Sequence, residues 1–478
     1  MTVPSPPPLP GPDTPYTAPT APATLGADLR RIVPLAWPVL VGQVSVVAFG
    51  TVDTLLVARA GATDLAALAV GGAAYITVFI GLMGVVLAVG PLAGQLYGAG
   101  RLREAGHQLH QATWIALALS VLGSSLLSVP EPFLALAQAS PAVADKVRGY
   151  LQALAFALPA SLLFAAYRGF NTAVSRPKAV MALQLGGLAL KVPLSTLLVF
   201  GLPAIGLPAL GVVGCGIATA IAMWLQLLVA WWLLRHDRFY APFEPPLARG
   251  GRWLARPHRP ALAAQLRLGV PIGLTILVEV TGFSFMAIFI ARLGTTAAAG
   301  HQIAANLVAL MFMLPMSLGN ATGVLVAQRI GAGALAEARR IGWHGVQIGV
   351  AGSALLGTLV FVGRGEVLGL YTRDPLVTAA ALPLLAWVAV FHLADAAQGI
   401  AAFVLRAWRV ATLPVVIFVT ALWGVGLGGG YLLAFSPGGL GPGPLGAQGF
   451  WIAATGGLLL AAVCLGGLMV WTFRQRRA

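Results

Sequence analysis

"PVLVGQVSVVAFGTVDTLLVARAG" (residues 38–61) returns in altered form as "PIGLTILVEVTGFSFMAIFIARLG" (residues 271–294), and this pair decides the fold. Each run opens on a proline and closes on an Ala-Arg pair, Ala58-Arg59 and Ala291-Arg292, followed by Gly61 and Gly294. Each has the roughly 20 apolar residues that a helix needs to cross a bilayer. Thr63 and Thr296 follow in step, and "AGQLYGAGRLREA" (93–105) then matches "VAQRIGAGALAEA" (326–338). Every pairing keeps one offset of 233 without a gap, over about 68 residues, so chance is a poor explanation. The chain reads as a duplication.

Composition supports a membrane setting. Of 478 residues only 9% are charged and 58% are hydrophobic, and the mean hydropathy is +0.88. That is too little charge to cover a soluble protein of this length. The apolar runs are continuous and rich in Leu, Ala, Val and Gly, whereas a barrel strand alternates polar and apolar residues over a short segment. The fold class is therefore an all-α integral membrane protein. Twelve spans are expected, at 32–58, 65–89, 111–129, 151–170, 179–200, 210–234, 268–291, 302–326, 341–362, 378–405, 411–434 and 447–473. They form two six-helix lobes related by pseudo-two-fold symmetry. The two cysteines, Cys215 and Cys464, lie in apolar runs and offer no disulfide framework or metal spacing.

An even span count puts both termini on one side. Of the 29 Lys and Arg, 22 fall on that side, 6 on the other, and Lys191 stands alone inside a span. The positive-inside rule places both termini in the cytoplasm of a multi-pass plasma (inner) membrane protein. The net charge of +15 is thus explained by cytoplasmic loops, and no nucleic-acid partner is expected. Residues 1–28 read as a disordered tail, since residues 1–24 hold nine prolines and no apolar run. No cleaved signal peptide is expected. Residues 29–234 form the first lobe, 235–266 a Pro- and Arg-rich cytoplasmic linker, and 267–478 the second lobe.

Because the repeat restarts after six spans, both copies insert the same way up. Parallel repeats with a site between the halves are a recurring transporter plan. Three of the 14 acids fall well inside spans: Asp53, Glu279 and Asp395. Charge at membrane depth usually faces a water-filled interior and marks a proton or ion path. Neither Asp53 nor Glu279 is shared scaffold, since their repeat partners are Met286 and Val46. Helical spacing puts His392, Asp395 and Gln398 on one face, Thr275 with Glu279, and Gln302 with Asn306. Lys191, with Ser195 one turn on, needs a partner at membrane depth, and Asp53 is the natural candidate. The alternative is that Lys191 snorkels to an interface.

Taken with "GQLYGAGR", "GVVGCGIATAI", "AAGHQIAANLVALMFMLPMSLGNA" and "FHLADAAQG", these stretches resemble the multidrug and toxic compound extrusion (MATE) family, most closely its NorM-like branch, over about residues 30–475. The resemblance implies two lobes in a V around a central cavity. It implies antiport by alternating access, with small lipophilic or cationic drugs exported in exchange for H⁺ or Na⁺, and no organic cofactor. It maps coupling roles onto Asp53, Glu279 and Asp395, with Glu279 and Asp395 the possible Na⁺ site. Lys191 and Ser195 stand where sodium-coupled relatives often have Asn, and Phe391 stands where relatives have Tyr. Both departures favour a proton. Gln302, Asn306, His392 and Phe391 are expected to support or line the cavity. A monomer is expected, and not an enzyme, since no clustered catalytic motif occurs at membrane depth. The alternative is a flippase for a lipid-linked saccharide. Such proteins line their cavities with several cations, and here Lys191 is the only one read inside a span.

Overall fold

The computed structural model describes residues 24–203, 206, 208–244, 254–436 and 444–476. Twelve helices are long and apolar enough to cross a membrane. They are α1 (Leu25–Ala60), α2 (Ala62–Gly98), α3 (Leu102–Leu127), α4 (Pro141–Ala173), α5 (Pro177–Phe200), α6 (Gly211–His236), α7 (Arg259–Ala291), α8 (Thr295–Gly331), α9 (Leu335–Val362), α10 (Pro375–Ala407), α11 (Thr412–Phe435) and α12 (Gly446–Gln475). Each expected span is present, and most helices run past it. Hydropathy marks only the stretch that needs lipid, while backbone hydrogen bonding carries a helix on into the interface.

Two boundaries are corrected. The tail expected to reach residue 28 ends earlier, because α1 begins at Leu25 behind Thr24, whose hydroxyl accepts from Ala27 N at 3.3 Å. The rest of the expected tail, residues 1–23, lies outside the described residues. Asp28, assigned to that tail, is fully buried in the first turn of α1. It accepts from Arg340 at 3.1 Å and pairs with His344 at 2.6 Å. The expected linker is partly folded. Residues 254–258 lie along α3, where Trp114 Nε1 donates to Ala255 O (2.9 Å) and His258 N donates to Gln111 Oε1 (2.9 Å).

The first lobe packs around α4, whose Leu151, Leu158, Tyr167 and Phe170 are almost wholly buried with Tyr240 and Phe243 from the short turn after α6. The second lobe packs around α8 and α10 in two clusters. Ile32 and Ala36 at the start of α1 join one of them, beside Ile400 and Trp408, so the first helix of one lobe helps to build the core of the other.

The lobes meet where the repeat left its most similar residues. Gln95 Nε2 donates to Ala407 O at the end of α10 (2.7 Å), and its repeat partner Gln328 donates to Ala173 O at the end of α4 (2.8 Å). Gly98 faces the Gln328 carbonyl, and Gly331 faces the Gln95 carbonyl, each so closely that a Cβ has no room. Midway along, Gly84 of α2 lies against the backbone of Gly273 in α7. Small residues let helices approach to backbone contact in lipid, where no hydrophobic drive exists between them. The last four carbonyls of a helix lack intrahelical partners, so each glutamine satisfies an otherwise orphaned acceptor.

These polar bonds gather at one end. Arg31 binds Glu337 (2.6 Å) and Gln265 Nε2 donates to Gln108 O (2.8 Å), also between lobes and also at the end where α1 begins and even-numbered helices finish. Among the described residues the exception is Gln43 Nε2 to Met316 Sδ (3.6 Å), deeper in the bilayer. Gly98→Ala and Gly331→Ala should therefore prise this end apart. Each is expected to lower stability by about 1–3 kcal/mol, the usual cost of overpacking. The readouts are the melting temperature in detergent and faster thiol labelling of a cysteine placed at Ala332. Unchanged melting and labelling in both variants would contradict the close packing.

Candidate functional site

A cavity of about 260 Å³ lies between the lobes. The repeat supplies its two walls. From the first lobe come Pro38 and Gln43 of α1, Met83 of α2, Arg168 of α4 and Gln184 of α5; from the second come Glu279 of α7, Phe312, Met316 and Asn320 of α8, and Gln398, Phe403 and Arg406 of α10. The mixture of aromatic rings, thioethers and a few polar groups is that of a small-molecule site.

Glu279 also lines a second recess of about 40 Å³ inside the second lobe, together with Asp395. Gln398 joins the two acids: its Nε2 donates to Asp395 Oδ1 at 2.9 Å and reaches Glu279 Oε1 at 3.5 Å. The one-turn spacing of Asp395 and Gln398 on α10 makes the first bond, and α7 brings the third member. The rest of the recess is apolar, including Phe283, Met286, Phe391 and Leu422. Phe391 is packed between Phe283 and Trp451, with ring centroids at 5.7 and 5.4 Å. Met286, the repeat twin of Asp53, looks into this recess. One wall is π-helical, at Val419–Gly428 of α11, which contributes Leu422, Gly426 and Leu427. Trp423 from that stretch donates to Val278 O on α7 (3.0 Å) and fixes the wider turn in place. Such turns are rare and recur at functional sites.

Asp53 lies elsewhere. It is ten residues beyond Gln43 on α1, roughly 15 Å along the helix axis at 1.5 Å per residue. Lys191 of α5 reaches it at 2.6 Å. The same ammonium donates to Thr219 Oγ1 of α6 at 2.7 Å and sits 4.2 Å from the centre of the Phe49 ring. Lys191 is 1% exposed, so it is paired rather than snorkelling. Ser195 is buried beside it on α5, its hydroxyl without a partner among the described residues. The other expected residues are scattered. His392 is fully buried, and neither ring nitrogen has a partner among the described residues. Gln302 and Asn306 are exposed and line neither cavity, and Asn306 accepts from Tyr371 (2.9 Å).

Two residues escaped the sequence reading. Arg168 and Arg406 sit inside α4 and α10 and line the central cavity. The sequence reading assigns both to the flanking loops, and their place inside the helices corrects the premise that Lys191 is the only cation inside a span. The available signal was position: Arg168 falls within the expected span 151–170, and Arg406 follows directly on 378–405.

A twelve-helix membrane protein duplicated around a cavity defines a class, and comparison places it. The MatE family model matches residues 38–197 and again 271–432, once per repeat, and the chain belongs to that family. It is 40% identical over 464 residues to "Probable multidrug resistance protein NorM" of Aromatoleum aromaticum, covering 96% of this chain and 97% of the relative. It is 34% identical to "Multidrug resistance protein MdtK" of Yersinia pestis over 94% of this chain and 97% of the relative. Among solved structures it superposes on the eukaryotic MATE transporter AtDTX14 with a TM-score of 0.83 at 20% identity, covering 95% and 99% of the two chains. An outward-facing multidrug resistance MATE transporter gives 0.81 at 16% identity, covering 94% and 96%.

Because Lys191 and Asp53 neutralise each other in a buried site, removing either strands the other. Lys191→Met or Asp53→Leu alone is expected to cost about 3–5 kcal/mol, whereas the double variant should recover most of it. Thermal melting of the three variants in detergent checks this. Full additivity of the two losses would show that the pair is not coupled.

Proposed function

We propose that this chain is a multidrug efflux antiporter that moves amphiphilic drugs through the central cavity by alternating access, coupled to protons at Glu279 and Asp395. The observation that carries this is the position of Glu279. It lines both the central cavity and the recess that holds Asp395, so one carboxylate faces the drug and the ion path together. An antiporter needs ion and drug to bind with negative coupling. A shared carboxylate supplies it, since a protonated Glu279 no longer attracts a cationic group. The full-length relatives named for multidrug resistance support the same reading.

The donor set of the recess favours a proton over sodium. A hard cation wants several oxygen ligands. Glu279 and Asp395 supply side-chain oxygens, but Gln398 turns its amide nitrogen toward them, and Phe283, Met286, Phe391 and the leucines around them supply none. In the first lobe Lys191 already neutralises Asp53, which leaves little attraction for Na⁺ there. With both termini in the cytoplasm, as the distribution of Lys and Arg indicates, the bonded end of the lobes is the cytoplasmic end, and the protein works as a monomer in the inner membrane.

A flippase for a lipid-linked saccharide is the second reading, and Arg168 and Arg406 favour it to a degree the sequence did not show. Against it stand relatives over nearly the whole chain that carry drug-resistance names.

Ethidium efflux from vesicles under an imposed pH or sodium gradient tests the proposal. Wild-type efflux should follow the pH gradient. Glu279→Gln and Asp395→Asn should each slow it by about a hundredfold or more, the usual range for one positioned proton-transfer group. Efflux driven by sodium alone would reassign the ion. Wild-type coupling in both variants would remove these acids from the mechanism.

A further inference from the structure

One face of α3 grips the chain just before the second lobe begins. His107, His110, Gln111 and Trp114 are spaced three and four residues apart, so they share that face. Against it lies a strap, residues 254–258, which runs directly into α7 with His258 as the N-cap residue. His110 Nδ1 accepts from Ala255 N at 3.1 Å, and His110 Nε2 lies 3.0 Å from Glu244 O in the turn after α6. Gln111 Nε2 donates to Arg256 O at 3.2 Å and lies 3.3 Å from His107 Nε2. These partners fix the protons. A carbonyl only accepts, so His110 Nε2 carries the hydrogen; a backbone N–H only donates, so His110 Nδ1 carries none. The Gln111 oxygen takes the His258 N–H, and its nitrogen has a second hydrogen to give, so His107 Nε2 is an acceptor too. Both rings are bound in the neutral form.

We propose that His107 and His110 form a proton-operated latch: neutral, they hold the strap and the start of α7 against α3 of the first lobe; protonated, they release the strap and loosen the bonded end of the lobes. A proton on His110 Nδ1 faces the Ala255 N–H, donor against donor. A proton on His107 Nε2 faces the Gln111 amide nitrogen, and turning that amide over to meet it breaks both of its bonds to the strap. The groups that act electrostatically on the two rings are His258, Glu104 and Glu244, and the rings on each other. His258 stands edge-on to His107 at 5.7 Å, so charge on both adds repulsion. Glu104 is already held by Arg101 (2.6 Å) and Glu244 by Arg103 (3.1 Å). From α7 the neutral amide of Gln265 faces Gln108. Histidine is the side chain that ordinarily changes charge between about pH 5 and 8, so the latch answers to acidification on its side of the membrane. The loosening of the lobes rests on the alternating-access reading above; the release of the strap does not.

Hydrogen exchange by mass spectrometry on the purified full chain in phosphatidylcholine nanodiscs reads the latch directly, because the Ala255 and His258 amides are two of its bonds. Protection factors remove the intrinsic pH dependence of exchange. Between about pH 7.5 and about pH 5.5 the protection of residues 254–258 should fall about tenfold or more, the effect of losing one or two hydrogen bonds. His110→Asn keeps an acceptor where Nδ1 stands, and His107→Gln keeps one where Nε2 stands, and neither replacement titrates. The double variant should therefore hold its protection at both pH values, while His110→Lys, permanently charged, should lose it already at about pH 7.5. Elution and melting of each variant confirm that it is folded. Unchanged protection in the wild type would overturn the latch, and so would an equal fall in the double variant, which would assign the effect to other groups. For the lobes, thiol labelling of a cysteine placed at Ala332, with Cys464→Ser, should speed up at the lower pH in the wild type and not in the double variant. Equal labelling of both would overturn the loosening. Neither readout requires transport, so a chain that exports nothing would remove the efflux reading and leave the strap release standing.

Discussion

The contact on which the structure depends is the approach of α2 and α8 to the opposite lobe at backbone distance. Gly98 and Gly331 let each helix end reach the other's carbonyl, and Gln95 and Gln328 cap the ends of α10 and α4. Apolar side chains cannot hold two lobes together in lipid, because lipid tails are an equally good solvent for them. Close packing and hydrogen bonds must do it. The clasp is symmetric because the repeat is, so both lobes release or engage together. Everything that lines the cavity hangs from helices fixed at this end.

Much of this was legible in the sequence, and for definite reasons. Spans are visible because lipid demands continuous apolar helix. The duplication is visible because the offset between Pro38 and Pro271 holds through Gly98 and Gly331. Asp53, Glu279 and Asp395 stand out because an acid in such a run is costly. Other features leave no one-dimensional trace. Arg168 and Arg406 sit at the edge of their apolar windows, where hydropathy cannot tell a loop from a cavity wall. The π-helical stretch of α11 has the same composition as an α-helix. Gln302 and Asn306 share a helix face, as their spacing says, but spacing does not say that this face turns away from the cavity.

The two lobes differ in their buried charges. In the first, Asp53 and Lys191 form a closed pair sealed by Thr219 and Phe49. In the second, the position matching Asp53 is Met286, and the acids stand instead at Glu279 and Asp395, bridged by the neutral amide of Gln398. A common scaffold thus carries a closed ion pair on one side and, on the other, two acids that form no ion pair within 4.0 Å among the described residues. The backbone symmetry that makes the clasp does not extend to the electrostatics.

That asymmetry sets the electrical behaviour of the carrier. With every carboxylate ionised, Asp53, Glu279 and Asp395 balance Lys191, Arg168 and Arg406, and the membrane-embedded machinery has no net charge. On the proton coupling proposed above, each proton taken up by Glu279 or Asp395 adds one positive charge, and the inward return of the protonated carrier runs down an inside-negative potential, gaining about 2.3 kcal/mol per charge for each 100 mV fully crossed. On that reading voltage, and not the pH difference alone, drives export.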